Sequence, residues 1–221
     1  MVPSLWSDHD ADHLAELYGR ALGATITQEV RYPEIPLEFQ KDLAGEMLTL
    51  DLNFQGYRIN IINADGTFRP TPSMSFRVNF NPATDDNGQE SLREAYRVLV
   101  DDGAQVLMEL GSYPFSDLYA WVEDRCGVSW QLMLAQPENE PRPFIMPALM
   151  YTRGHHTQEF TQMLLRLFPG STAKTPILVP GQDQQVMFSE ARIAGDWMMI
   201  SDGGDVHDFT FTMKKIEIDQ F

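Results

Sequence analysis

The stretch DHLAELYGRALG, residues 12–23, decides the fold, because its pattern of apolar residues returns twice further along the chain. The apolar residues lie at positions i, i+3, i+4, i+7 and i+8, which puts them on one stripe of an amphipathic helix. The three sets are Leu14, Leu17, Tyr18, Ala21 and Leu22; Leu92, Ala95, Tyr96, Leu99 and Val100; and Phe160, Met163, Leu164, Leu167 and Phe168. The sequence therefore predicts three copies of one helix.

Each predicted helix follows a short apolar run and precedes sequence that alternates between apolar and polar residues. Alternation of this kind is typical of half-buried strands. The repeated unit is therefore a strand, a helix and three further strands, about 70 residues in all. We predict an α+β protein built from tandem βαβββ units, whose curved mixed sheets carry the helices on their outer face.

Two proline-bearing segments divide these units. FRPTPS, residues 68–73, separates the first from the second, and AQPENEPRP, residues 135–143, has the composition of an extended linker. We predict a complete domain of two units at 1–137, with units at about 1–70 and 71–137, followed by a linker at 138–143. Residues 144–221 then form a single unit whose trailing strand is DFTFTMKKIEIDQF, residues 208–221.

The composition excludes some classes of partner. The 221 residues carry a formal net charge of -16, which repels phosphate backbones and anionic bilayers. No apolar run approaches the roughly 20 residues of a membrane span. We therefore expect neither nucleic acid nor membrane as a partner. The one cysteine, Cys126, rules out an internal disulfide and indicates a reducing, cytoplasmic setting.

Few residues indicate catalytic chemistry. Glu123 and Asp124 lie close before Cys126 and raise a thiol pKa, an effect that Arg125 offsets only partly, so Cys126 is a poor nucleophile. His155 and His156 are adjacent at a helix start, so their side chains diverge and are expected to serve helix capping. Gly203 and Gly204 lead into further strand sequence and indicate a hairpin turn. No catalytic residue is assigned.

Four segments carry a resemblance to a known superfamily. They are PSLWSDHDADHLAELYGRALG at 3–23, DRCGVSWQL at 124–132, LFPG at 167–170 and GDWMMISDGG at 195–204. The chain resembles the vicinal oxygen chelate superfamily of glyoxalases, bleomycin-resistance proteins and extradiol dioxygenases. Within it, the sequence is most similar to the PhnB-like branch, often labelled 3-demethylubiquinone-9 3-methyltransferase.

The resemblance implies a cleft in which a divalent metal is held by His, Glu or Gln side chains from facing strands. The positions that usually carry histidine fall near residues 1–3 and 73–75, where no residue can replace it. Gln131 falls where the last strand would carry a glutamate. Since a catalytic metal needs about three protein ligands, we expect neither a metal nor another cofactor.

We expect a small, partly apolar molecule to bind in the cleft of residues 1–137, which aromatic residues on predicted strands would line. The candidate residues are Trp6, Phe54, Arg58, Phe76, Arg77, Trp121, Trp130 and Gln131. One alternative is a metal-dependent lyase, isomerase or dioxygenase, with ligands such as Glu46, Gln131 and a histidine from another chain. The other is a protein of assembly or sequestration without catalysis.

The third unit lacks a partner in this scheme. A single curved sheet leaves an apolar face and at least one edge unprotected, which is unusual on a soluble monomer. We therefore expect a homodimer through residues 144–221, with an isologous twofold interface.

Overall fold

The computed structural model of the chain describes residues 2–35, 43–136, 140–152 and 156–204. The first unit contains β1 Ser4–Asp8, α1 Ala11–Leu22, β2 Thr25–Arg31, β3 Met47–Phe54 and β4 Tyr57–Ala64. The second contains β5 Met74–Phe80, α2 Gly88–Asp101, β6 Gln105–Tyr113, β7 Ser116–Glu123 and β8 Ser129–Leu134. The third contains β9 Ile145–Thr152, α3 Thr157–Leu167, β10 Thr172–Ala173, β11 Ile177–Leu178, β12 Val186–Ile193 and β13 Asp196–Gly204. The predicted trailing strand lies outside the described residues.

All three units share one topology. In each, the first strand pairs in parallel with the last, as β1 with β4, β5 with β8 and β9 with β13. The last strand also pairs antiparallel with the strand before it. The predicted α+β fold of repeated βαβββ units is therefore confirmed. None of the helices in the described ranges is both long and apolar enough to cross a membrane.

The first and third units agree down to single side chains. Their last two strands are joined by the turns Gln55-Gly56 and Ala194-Gly195, where all four residues have positive φ, as a two-residue hairpin turn requires. Seven residues after each turn glycine stands Asn63 or Asp202. Asn63 Oδ1 accepts from the first amide of α1 at 3.1 Å, and Asp202 Oδ1 accepts from the first amide of α3 at 3.0 Å. A side chain of the last strand thus satisfies each helix start.

The units pair differently from our expectation. Strand β9 of the third unit lies antiparallel beside β5 of the second, with Ser75 opposite Ala148 and Arg77 opposite Met146. The second and third units therefore form one continuous sheet of nine described strands, ordered β10-β12-β13-β9-β5-β8-β7-β6, with β11 on β12. The first unit keeps its own four-stranded sheet, β1-β4-β3-β2. The third unit, which the sequence analysis left without a partner, therefore pairs with the second unit.

The open faces of the sheets explain this pairing. The open face of the first unit is polar: Asn60 donates to Asp51 at 2.6 Å, and Arg58 lies 3.8 Å from Asp51. On the inner face of the third unit, Met146, Ala148 and Met199 are buried together. Covering the apolar face removes hydrocarbon from water, whereas covering the polar face would desolvate charges. The described inner face of the third unit is thus covered within the chain at Met146, Ala148 and Met199, whereas the expected homodimer assumed that this face was bare.

The first unit packs behind the second. Helices α1 and α2 contact each other, α1 covers the small sheet and α2 covers the large sheet. Tyr18 of α1, Phe54 of β3 and Trp130 of β8 meet in one aromatic cluster, with the Tyr18 and Trp130 ring centroids 4.9 Å apart. Buried Asp124, in the loop before β8, accepts from Tyr18 Oη at 2.8 Å and from Trp130 Nε1 at 3.0 Å. Its other oxygen accepts the amides of Cys126 and Val128, so one carboxyl joins helix, loop and strand.

The Tyr18–Asp124 hydrogen bond provides a test of this packing. Substituting Tyr18→Phe removes one hydrogen bond to a buried carboxyl group and should lower the free energy of unfolding by about 1–3 kcal/mol in urea titrations. The matched control is Tyr96→Phe, because the Tyr96 hydroxyl lies near the surface, where it donates a long bond of 3.3 Å to Glu109. We expect that control to change stability by less than about 0.5 kcal/mol. Equal effects of the two substitutions would contradict the described role of Asp124.

Candidate functional site

The inner face of the large sheet encloses a cavity of about 240 Å³ between the second and third units. Five methionines of the described chain line it: Met108, Met133, Met150, Met187 and Met199. Four aromatic residues complete most of the wall: Phe115, Tyr119, Trp121 and Phe188. Thioether side chains are flexible and polarizable, so they adapt to the shape of an apolar molecule. We call this space the methionine cavity.

The polar groups of the methionine cavity are few and mostly bonded to one another. Gln131 donates from Nε2 to Ser75 Oγ at 2.8 Å, and its Oε1 accepts from Tyr119 Oη at 2.9 Å. Trp121 Nε1 donates to Ser129 Oγ at 2.6 Å. Burial raises the pKa of Tyr119, which keeps its hydroxyl neutral near pH 7. These bonds fix the side chains of the wall before any ligand arrives.

A cluster of charges crosses the cleft from the second unit to the third. Arg77 of β5 donates from Nη2 to Glu190 of β12, and Arg142 donates to the same carboxylate at 2.6 and 3.0 Å. Arg142 also stacks on Trp197, with Cζ 3.9 Å from the ring centroid. Burial raises the pKa of Glu190, but the charges and hydrogen bonds of Arg77 and Arg142 outweigh it and lower that pKa below its usual value. Burial lowers the pKa of Arg77, and Glu190 opposes that shift.

A second, more polar cavity of about 380 Å³ adjoins the first. Phe115, Met133 and Phe188 belong to the walls of both cavities. Arg142, Glu190 and the half-exposed Lys174 line this second space. The cleft therefore has an apolar inner part and a polar outer part, with the charge cluster between them.

Strand alternation separates the residues that the sequence analysis grouped together. Arg77, Trp121 and Gln131 do line the methionine cavity. Phe54, Phe76 and Trp130 are fully buried on the opposite side of their strands, in the core around α1 and α2, so their expected place in the cleft is wrong. The two remaining candidate residues, Trp6 and Arg58, lie on the open side of the first sheet. Trp6 packs on Phe68 and donates to the carbonyl of Asp65, and Arg58 is largely exposed.

The sequence analysis missed most of the cavity wall. The sequence analysis named none of the methionines of β9 and β13 as candidates, nor Glu190 or Arg142. Met146 and Met150 on β9 alternate with outward residues, and Met199 on β13 is the cross-strand neighbour of Ala148, which lies between these two methionines on the same face. That alternation of methionines, beside the polar alternation of the first unit, is the signal that could have located the cleft.

The residues present do not fit the metal that the resemblance implies. Gln131, at the expected ligand position, already uses its amide oxygen for Tyr119, and its neighbours in the cavity are thioethers and a cationic guanidinium. Divalent ions in this superfamily take oxygen or imidazole ligands, which these groups do not supply. The described residues contain no group of three or more His, Cys, Asp or Glu side chains suited to a metal. Glu46 lies in a different cavity beside His9.

Fold and cleft together define a protein of the vicinal oxygen chelate superfamily. Glyoxalase I from Zea mays aligns with a TM-score of 0.58 and 12% identity, over 91% of this chain and 67% of that one. The PhnB protein from Bacillus cereus aligns with a TM-score of 0.50 and 26% identity, over 61% of this chain and 98% of that one. A protein from Pseudomonas aeruginosa aligns with a TM-score of 0.50 and 16% identity, over 62% and 97%.

The particular family follows from the sequence. The model of the family described as 3-demethylubiquinone-9 3-methyltransferase matches residues 1–133. The chain belongs to this family, the PhnB-like branch that the sequence analysis named. No curated protein matches the chain.

The charge cluster predicts a pH dependence of stability. Because the pKa of Glu190 is lowered in the folded state, its ionised form stabilises the fold fully above the usual value of 4.5, and this stabilisation is lost as the pH falls through the lowered pKa. The difference in unfolding free energy between wild type and Glu190→Gln should therefore be large near pH 7 and shrink on acidification. Urea titrations between about pH 3 and about pH 7 measure it.

The control for this measurement is Glu109→Gln. Glu109 lies on the exposed side of β6, where its carboxylate accepts one long bond from Tyr96. Its substitution should have a small effect at every pH. A difference for Glu190→Gln that grows as the pH falls would contradict the assigned contacts of Glu190.

Proposed function

We propose that this protein binds a small, partly apolar molecule in the methionine cavity between its second and third units. The observation that carries the proposal is the cavity itself, which is lined by five methionines and four aromatic residues. Ligand sites are mostly apolar hollows with a few placed polar groups, and this cavity has that character. The proposed ligand is of the class expected from the sequence. Its proposed site is different: the sheet shared by the second and third units in place of the cleft of residues 1–137.

The residues that line the cavity support ligand binding without catalysis. Arg77 and Tyr119 are the titratable residues among the described lining of the cavity, and both hold structural hydrogen bonds. Cys126 lies outside the cavity, and burial, together with Asp124 and Asp10, raises its pKa to about 12. The proposal includes a cytoplasmic setting. A thiol with that pKa stays protonated there and is therefore a poor nucleophile.

The family description names methyl transfer, and we do not extend that activity to this chain. Binding of S-adenosylmethionine normally uses a glycine-rich turn between a parallel strand and a helix. The adjacent glycines, Gly203 and Gly204, lie inside β13, where the sequence analysis expected a turn. The cavity wall offers thioethers and aromatic rings, which suit an apolar body better than a charged sulfonium.

Methionine methyl groups report directly on this cavity. With [¹³C]methyl-methionine, addition of 1-naphthol should shift the signals of the five lining methionines in heteronuclear NMR spectra. Exposed Met74 and Met163 lie elsewhere and serve as internal controls. Shifts confined to these two controls, or no shifts at millimolar probe, would overturn the proposal.

A variant that fills the cavity tests the same site by a second route. The larger side chain in Met187→Trp should occupy the space and weaken 1-naphthol binding by about tenfold or more. The matched control is Met163→Trp on the exposed side of α3, which should bind as the wild type does. Equal affinities of the two variants would place the probe outside the methionine cavity.

A further inference from the structure

One nitrogen of the Arg77 guanidinium, Nη1, has only a weak acceptor as its described partner at the wall of the methionine cavity. Arg77 is 3% exposed, and it donates from Nε to Asn79 Oδ1 at 2.9 Å and from Nη2 to Glu190. Among the described residues, the partner of Nη1 is the sulfur of Met199 at 3.8 Å. A thioether is a weak acceptor, so a buried charged donor remains short of a strong one. An oxygen of a ligand would be a stronger acceptor for Nη1 than this sulfur.

The charges around Arg77 also do not balance. Arg77 and Arg142 share the carboxylate of Glu190, and Arg142 also lies 3.7 Å from a carboxylate oxygen of Glu140. Lys174 lies 2.7 Å from the same Glu140, so among the described residues three cations face two carboxylates and one positive charge is in excess. All three side chains of the central cluster are less than 15% exposed, at 4%, 14% and 11%. An uncompensated charge in such a place is costly, and an anion would offset it.

We propose that the ligand is a small monocarboxylate with an apolar body, its carboxylate on Arg77 and its body among the methionines and aromatic rings. This inference rests on the proposed function, because it names the chemistry of the ligand in the same cavity. A planar guanidinium matches a carboxylate in geometry, and a single negative charge completes the cluster. A dianion such as a phosphate monoester would leave an excess of negative charge beside Glu190.

The size of the cavity limits the body of the ligand. About 240 Å³ holds one or two rings and excludes long acyl chains or a nucleotide. Trp121, Tyr119 and Phe115 offer flat or edge contacts to an aromatic ring, and the methionine sulfurs interact well with ring edges. Aromatic carboxylates with one or two rings are therefore the class that fits best.

Paired probes separate the charge from the apolar body. Isothermal titration calorimetry would compare 1-naphthoate with 1-naphthalenemethanol, which has the same rings and no charge. We expect the wild type to bind the carboxylate about tenfold or more tighter than the alcohol, as a charged hydrogen bond in a buried site implies. In Arg77→Gln, the affinity for the carboxylate should fall by more than the affinity for the alcohol, so that the preference of the wild type is lost.

Two further variants test whether the affinity for 1-naphthoate changes in the direction that the charges predict. Glu190→Gln removes the competing carboxylate and should strengthen 1-naphthoate binding, opposite to Arg77→Gln. Arg20→Gln removes an exposed positive charge on α1 and should change neither affinity. If Arg77→Gln fails to fold, the wild-type preference and the effect of Glu190→Gln still decide the question.

Each outcome has one meaning. Equal binding of the two probes by the wild type, or tighter binding of the alcohol, would overturn the carboxylate assignment and leave the proposed function in place. Absence of binding by both probes, with no shift of the lining methionine methyl signals, would overturn the proposed function itself. Weaker 1-naphthoate binding in Glu190→Gln would also contradict the charge argument.

Discussion

Strands β5 and β8 are buried on both faces, and the rest of the structure depends on this constraint. Phe76 and Trp130 point toward the helices, whereas Arg77 and Gln131 point into the cleft. The outward residues hold the first unit behind the sheet through α1 and α2. The inward residues form half of the cleft, which the third unit completes from the other side of β5. A strand pair that has apolar residues outward and selected polar residues inward can serve both purposes because side chains alternate along a strand.

The repeat was predictable from the sequence because it depends on local patterns. Helix stripes, hairpin turns at Gln55-Gly56 and Ala194-Gly195, and alternating strands all follow from residues close together in the chain. The pairing of the units was not predictable in the same way, since each unit offers a similar first strand. Pro147 in β9 even favours an edge strand, yet it is tolerated because the ladder to β13 begins one residue later, at Ala148.

The candidate site was predictable only in part. The candidates were chosen mainly as aromatic residues on predicted strands. Three of the eight, Arg77, Trp121 and Gln131, line the methionine cavity. Phe76 and Trp130 were placed on the wrong face of the sheet. Neighbouring side chains of a strand point to opposite faces, and the local sequence does not show which face borders the cleft. Glu190 joins Arg77 from far along the chain, so their contact follows from the pairing of units and from no motif.

The shared sheet of the second and third units is the central claim, and cross-strand nuclear Overhauser effects test it most directly. In a sample that mixes isotope-labelled and unlabelled chains, backbone protons of β5 and β9 should give strong contacts within one chain, with Phe76 opposite Pro147. No such contacts should join β5 to β1. Contacts between β5 and β1, or contacts between β5 and β9 that appear only between different chains, would contradict the account.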